Sequence, residues 1–179
     1  MNDFYHEESR ALQDRFDTRR LADRIEQRLV ADNIGDTDRA FIEAADMFFL
    51  ATVDEGGQPS CSYKGGAPGF VRVVDARTLA FPNYDGNGMF LSMGNIAQSR
   101  KVGMLFIDFE HPQRPRLSGE ARISESDPLL ADYPDTQFIV RVAVTHVFPN
   151  LAHSVHQYRL VKRPPHVTTS RRAPPVPNR

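Results

Sequence analysis

The chain has 179 residues, with 22 Lys and Arg against 23 Asp and Glu for a net charge of −1, so no global field draws it to nucleic acid or to an anionic membrane. A hydrophobic fraction of 40% and a charged fraction of 25% suit an ordinary globular chain with one core and extensions. The single cysteine, Cys61, excludes an internal disulfide and a cysteine-built metal site, while the lack of an apolar run near ~18 residues and a polar, acidic start predict a cytoplasmic protein.

From Asp17 onward the period is helical: Leu21, Ile25 and Leu29 recur at i, i+4 and i+8, widened by Ala22 and Val30. Asp17 or Thr18 can cap the start, and Gly35 marks the end. The other face carries Arg19, Arg20, Arg24, Glu26 and Arg28, read as a solvated face in preference to a phosphate-binding one. A shorter helix follows Asp36 or Thr37 to about Ala45. Residues 1–46 are thus expected to form a helical arm that covers a barrel side or packs on a partner subunit.

Met47 to Ile123 shows the rhythm of a small antiparallel barrel or sandwich, short β-rich runs separated by turn signals. Met47–Val53 is apolar on both faces, which predicts a strand buried on two sides. After the Asp54–Gly57 turn, Ser60, Ser62 and Lys64 share one face of the next strand and Cys61 and Tyr63 the other. Those three polar side chains either meet water or line a polar pocket. Gly65-Gly66 and Pro68-Gly69 follow directly, so the backbone there can form an anion nest beside the lysine. Phe70–Val74 and Thr78–Phe81 read as a hairpin, with Arg72 at its rim. Pro82 belongs at a strand end, leaving Asn83 free to meet a ligand. Asp85–Gly88 opens a helix expected from about Met89 to Gln98. Its N-terminus favours anions, which makes Asn87 and the backbone of Gly88 and Met89 further phosphate candidates.

Asn95 and Ser99 on that helix are either surface or pocket. Val102–Ile107 is a core strand. His111 beside Glu110 reads as an exposed turn, because no second histidine lies at ligand spacing. Arg114 and Arg116 flank Pro115 at the entry to a strand through Ile123, in which Gly119 suggests a bulge or close approach. Asp127 caps a short helix started by Pro128. Phe138–Phe148 is the longest strand, expected to close the barrel with Phe138, Val140, Val142, Val144 and His146 on one face. His153 and His156 make a thin case for a metal or haem. The Pro- and Arg-rich residues 164–179 form a tail.

The pieces ATVDEGGQP, SYKGG, LAFPN and KVGMLFID, with GFVRV, YDGNGM and LFIDFEHP, resemble in their order the pyridoxamine 5'-phosphate oxidase-like, FMN-binding split-barrel family over about 47–163. The resemblance implies a mainly β (α+β) fold, a split β-barrel with flanking helices. It further implies a homodimer with FMN at the subunit interface. By resemblance Lys64 holds the flavin phosphate, Ser62 and Tyr63 lie alongside the flavin, and Phe81, Pro82 and Asn83 run along the isoalloxazine ring. Arg116, at a strand entry the family often uses, is a further cofactor contact. The chain departs from the authentic oxidases by carrying Gly88 and Met89 where they carry an Arg-Lys phosphate pair. It also lacks their C-terminal Arg-His substrate motif. The expectation is an FMN-dependent oxidoreductase with another substrate and no identified catalytic residue. A non-catalytic flavin-binding or redox-sensing protein is the alternative, as are deazaflavin (F420) and haem as cofactors.

Overall fold

The computed structural model describes residues 4–84, 86, 88–110, 114–149 and 156–162. The chain divides into two compact units, Met1–Ala31 and Asp32–Arg179. The first holds α1 (Glu7–Arg15) and α2 (Arg19–Leu29). The side chain of His6 caps α1 by accepting the Ser9 N–H, and Glu7 and Glu8 sit at the positive end of its dipole. The sequence pattern places the onset of helix at Asp17. Asp17 instead takes a left-handed φ of 53°, which an aspartate tolerates, and separates two helices. Arg10 of α1 donates to both Asp23 (2.6 Å) and Glu26 (2.8 Å) of α2, so these acids serve the helix–helix contact. Gly35 does not end α2, which stops at Leu29; it is the N-cap residue of the next helix.

The second unit contains α3 (Asp36–Ala44), α4 (Leu91–Ser99), a 3-10 turn (Pro128–Asp132) and seven strands. These are β1 (Met47–Val53), β2 (Pro59–Gly65), β3 (Arg72–Asp75), β4 (Thr78–Tyr84), β5 (Lys101–Leu105), β6 (Pro115–Ser124) and β7 (Thr136–Pro149). They form one antiparallel sheet in the order β2-β1-β5-β6-β7-β4-β3. In a flat sheet β1 and β4 would stand about 19 Å apart, four strand spacings. Yet the ring of Phe48 on β1 lies 5.1 Å from that of Phe81 on β4. The sheet is therefore rolled around an aromatic centre, in which Phe48 also meets Phe70 (5.8 Å) and Phe106 (5.2 Å). The terminal strands β2 and β3 do not pair with each other. The fold is the split β-barrel that the family resemblance implies.

Expectations about two of its strands are corrected. β7 does not close the barrel; it runs inside the sheet between β6 and β4. A bulge at Ser118/Gly119 leaves Thr145 as an extra residue on β7, so Val147 rather than His146 continues the buried face of Val142 and Val144. Gly119 is required there because a Cβ would stand 2.4 Å from the Ala143 carbonyl oxygen. Beyond the buried Met47 at its start, β1 is buried on one face only: Phe48, Leu50 and Thr52 are interior, whereas Phe49 and Val53 are half-covered and Ala51 is exposed.

The free edge of β3 is covered by α3, whose Glu43 accepts the Val73 N–H (3.1 Å) and whose Arg39 donates to the Val73 carbonyl (2.9 Å). Arg72 is not a rim residue. It donates to the hydroxyl of the buried Tyr133 (3.1 Å) and lies 3.7 Å from Asp132.

Asp127 caps its turn by accepting the Leu129 N–H (2.9 Å) and takes a bidentate pair from Arg141 of β7 (2.5 and 3.0 Å). The Arg141 guanidinium holds this carboxyl below the ordinary carboxylate range. The unfolded chain therefore binds the proton more tightly, so the stabilisation is full above about pH 4 and is lost as pH falls through the lower folded value. Asp127→Asn keeps the cap but not the charge. It is expected to cost about 2 kcal/mol at neutral pH and to flatten the acid limb of Tm against pH. An unaltered acid limb would assign that limb to other carboxylates.

Candidate functional site

The β1–β2 register decides which way the polar strand faces. Phe48 is opposite Lys64, Leu50 opposite Ser62 and Thr52 opposite Ser60. Directly opposed residues share a face, and Phe48, Leu50 and Thr52 are interior. Ser60, Ser62 and Lys64 thus point inward at an open sheet edge, where they line one wall of a cleft of about 250 Å³. Of the two readings left open by the sequence, a polar pocket rather than bulk water is the one found.

Lys64 is half-buried and has no ion pair among the described residues. Burial pulls its pKa below the ordinary lysine value, as expected for a cation held away from water without a counter-charge. Of the glycines after it, Gly66 takes no part in the expected nest. Gly66 donates its N–H to the Asp46 carbonyl (2.9 Å), and a Cβ there would stand 2.4 Å from the Phe70 ring. Its lack of a side chain serves packing.

The second wall comes from the ends of β4 and β7. The β4–β7 register shifts between Asn83 and Tyr84, with Phe138 and Thr136 as partners. Gln137 is consequently the extra residue of a bulge, which aims it at the cleft. Asn83 donates to the Gln137 side-chain carbonyl at 2.9 Å. The Tyr84 phenol lines the same wall and is pushed well above its ordinary pKa, chiefly by burial, so it is a neutral hydrogen-bonding group throughout the physiological range.

The third wall is the approach to α4, from Gly86 and Gly88 to Met93. The helix begins at Leu91, two residues later than the pattern suggests, and its N-cap residue Phe90 is left-handed (φ 49°) with no side-chain cap bond. Ser92 of α4 lies 3.0 Å, hydroxyl to hydroxyl, from Ser62 of β2, which ties this wall to the first. Asn95 is not in the cleft; it is buried and donates to Thr52 (3.0 Å).

Of the residues singled out from the sequence, Ser62, Lys64, Asn83, Gly88 and Met89 come together around this cleft. Tyr63 projects to the opposite face of β2, with its ring 6.1 Å from that of Phe49. Phe81 is a core residue, and Pro82 is buried in the ladder opposite Ile139. Arg116 is exposed, with its guanidinium over the Phe148 ring (5.1 Å), and does not line the cleft. Asn87, His111 and His153 lie outside the described residues. Among the described residues no cluster of three His, Cys, Asp or Glu could hold a metal ion, and no helix is long and apolar enough to cross a membrane. Among the lining residues missed from the sequence are Gln137 and Ser92. A bulge aims the first and the helix phase the second, and neither leaves a local signal.

Many solved structures resemble this fold. HupZ of Group A Streptococcus matches with a TM-score of 0.54 and 20% identity over 70% of this chain and 99% of its own. A Lactobacillus delbrueckii protein gives a TM-score of 0.55 and 22% identity over 66% and 95%. An FMN-binding protein of Syntrophomonas wolfei gives 0.50 and 10% over 79% and 99%. At these identities the likeness is one of fold. No curated protein matches the sequence. The family model described as pyridoxamine 5'-phosphate oxidase matches residues 34–164, which include every strand and every wall of the cleft. This chain belongs to the pyridoxamine 5'-phosphate oxidase family.

Proposed function

We propose that this protein binds FMN as a homodimer and acts as a flavin-dependent oxidoreductase on a substrate other than pyridoxamine 5'-phosphate. The observation that carries the reading is Lys64, a half-buried cation without a counter-charge among the described residues, facing a cleft. A phosphate would neutralise it. The facing amide pair, Asn83 and Gln137, and the neutral Tyr84 offer donors and acceptors suited to the polar edge of a heteroaromatic ring. The Lys64–Ser62 wall and the amide wall therefore fit the two ends of FMN. A bound flavin would supply the redox chemistry, and these residues would hold and orient it.

Family membership supports the same reading. The cleft of about 250 Å³ falls below the ~300–1,000 Å³ usual for ligands of drug size, so one chain encloses only part of a flavin. A second copy is expected to complete the site. The outer face of β1, β2 and β5 is suited to that contact, because Phe49, Ala51 and Tyr63 are incompletely covered there beside Leu105.

The test is the absorbance spectrum of the purified protein, followed by titration with FMN. Flavin bands, or saturable FMN binding with a raised Tm, are expected, and NADH or NADPH is then offered as reductant. Bound flavin that neither reductant reduces would favour a storage or sensing role. A Soret band would point to haem instead, and tighter binding of a deazaflavin to F420. A colourless protein that FMN does not stabilise would end the flavin reading.

A further inference from the structure

The approach to α4 breaks three local rules at one place. Phe90 holds left-handed backbone (φ 49°, ψ 22°), a region disfavoured for a bulky aromatic residue. It occupies the N-cap position without a capping side chain, where Asn, Asp or Ser would satisfy a free helix N–H. It also stands between two further exposed apolar residues: Met89 is 70%, Phe90 47% and Leu91 56% exposed. Sequences keep such local conflicts at functional sites, where another gain offsets the lost stability.

We infer that Met89, Phe90 and Leu91 form an apolar lip that docks a planar, uncharged aromatic molecule against the mouth of the cleft, as the second ligand beside the flavin. This rests on the FMN reading above. All three residues belong to the wall facing the Lys64 strand, so the lip is continuous with the cleft and apolar where the opposite wall is cationic and polar. That division assigns different chemistry to the two sides. The anionic end of the first ligand belongs at Lys64, and the lip has no donor or acceptor side chain with which to hold a charged or sugar-like partner. A thioether and a phenyl ring are suited to stacking on flat apolar surfaces. The carbonyl of Phe90 accepts the Gly94 N–H at 2.7 Å, which pins the backbone that presents the ring.

The variant that tests this is Phe90→Asn. Asparagine tolerates left-handed backbone and caps helices well, so its expected effect on folding is a Tm equal to or above wild type, and failure to fold does not confound the result. Binding of 1,4-naphthoquinone, a flat uncharged probe, is followed by calorimetry on the empty and FMN-loaded protein, and FMN affinity and sedimentation are measured on the same samples. Expected are a loss of at least tenfold in quinone affinity, FMN affinity within about threefold of wild type, and an unchanged sedimentation coefficient. Quinone affinity equal in wild type and variant would overturn the lip. A loss of FMN affinity with quinone binding intact would make Phe90 part of the flavin seat instead. Dissociation of a dimer on substitution would make the lip a contact between copies. If wild type takes up no FMN but the empty protein binds the quinone through Phe90, the flavin reading fails and the lip stands.

Discussion

Lys64→Met is expected to weaken FMN binding by about 10- to 150-fold, the loss of one charge-assisted hydrogen bond worth about 1.5–3 kcal/mol, while leaving the empty protein at least as stable as wild type. The two effects have opposite signs because they arise from one cause. Without bound flavin the ammonium is held away from water with no counter-charge among the described residues, and burial pulls its pKa down. The unfolded chain then binds the proton more tightly than the folded one. Stability of the empty protein consequently rises with pH from the folded value of Lys64 to the unfolded value near 10.4. Methionine has similar length and no charge, so it removes the desolvation cost and the phosphate contact together. FMN affinity in wild type should fall as pH passes the lowered lysine value, with proton uptake on binding in that range. The checks are FMN titration of both proteins from neutral to alkaline pH and thermal melts without ligand. Equal affinity in the two proteins would remove Lys64 from the site; a less stable empty variant would mean that the lysine has a partner in the fold.

Much of this could be read from the chain because it depends on local signals. Alternation and turn residues located all seven strands, and glycine with its neighbours marked the bulge at Gly119. The polar face of Ser60, Ser62 and Lys64 was equally legible, since period-two alternation needs no tertiary knowledge. What alternation cannot supply is which face turns inward, and here the ladder with β1 decides. Gln137 was illegible for a related reason: it reaches the cleft only because the β4–β7 register slips by one residue. The Gly65-Gly66 pair misled because a glycine required by a packed ring and one required by a ligand look alike in sequence. Helix α1 was missed because it buries none of its residues and so carries no clear apolar stripe.

The aromatic centre that rolls the sheet is also what gives Lys64 its environment, and Phe48→Ala tests both. Phe48 is fully buried and meets three other phenylalanine rings. Truncation is expected to cost about 3–5 kcal/mol through lost burial and the cavity left behind, which lowers Tm by about 10 °C in a chain of this size. Phe49→Ala, one residue along on the outer face, removes the same group from a half-covered site and is expected to cost about 1 kcal/mol in the monomer. Equal losses would mean that both faces of β1 are buried, as its composition alone suggests. Because Phe48 stands opposite Lys64 in the ladder, the cavity also admits water near the ammonium. The lysine pKa in Phe48→Ala should then rise toward its ordinary value, measurable by NMR on the Nζ resonance, and FMN affinity should drop even where the variant remains folded. A lysine that titrates identically in both proteins would detach the anchor from the core, and the depressed pKa would need a source other than the aromatic packing beneath it.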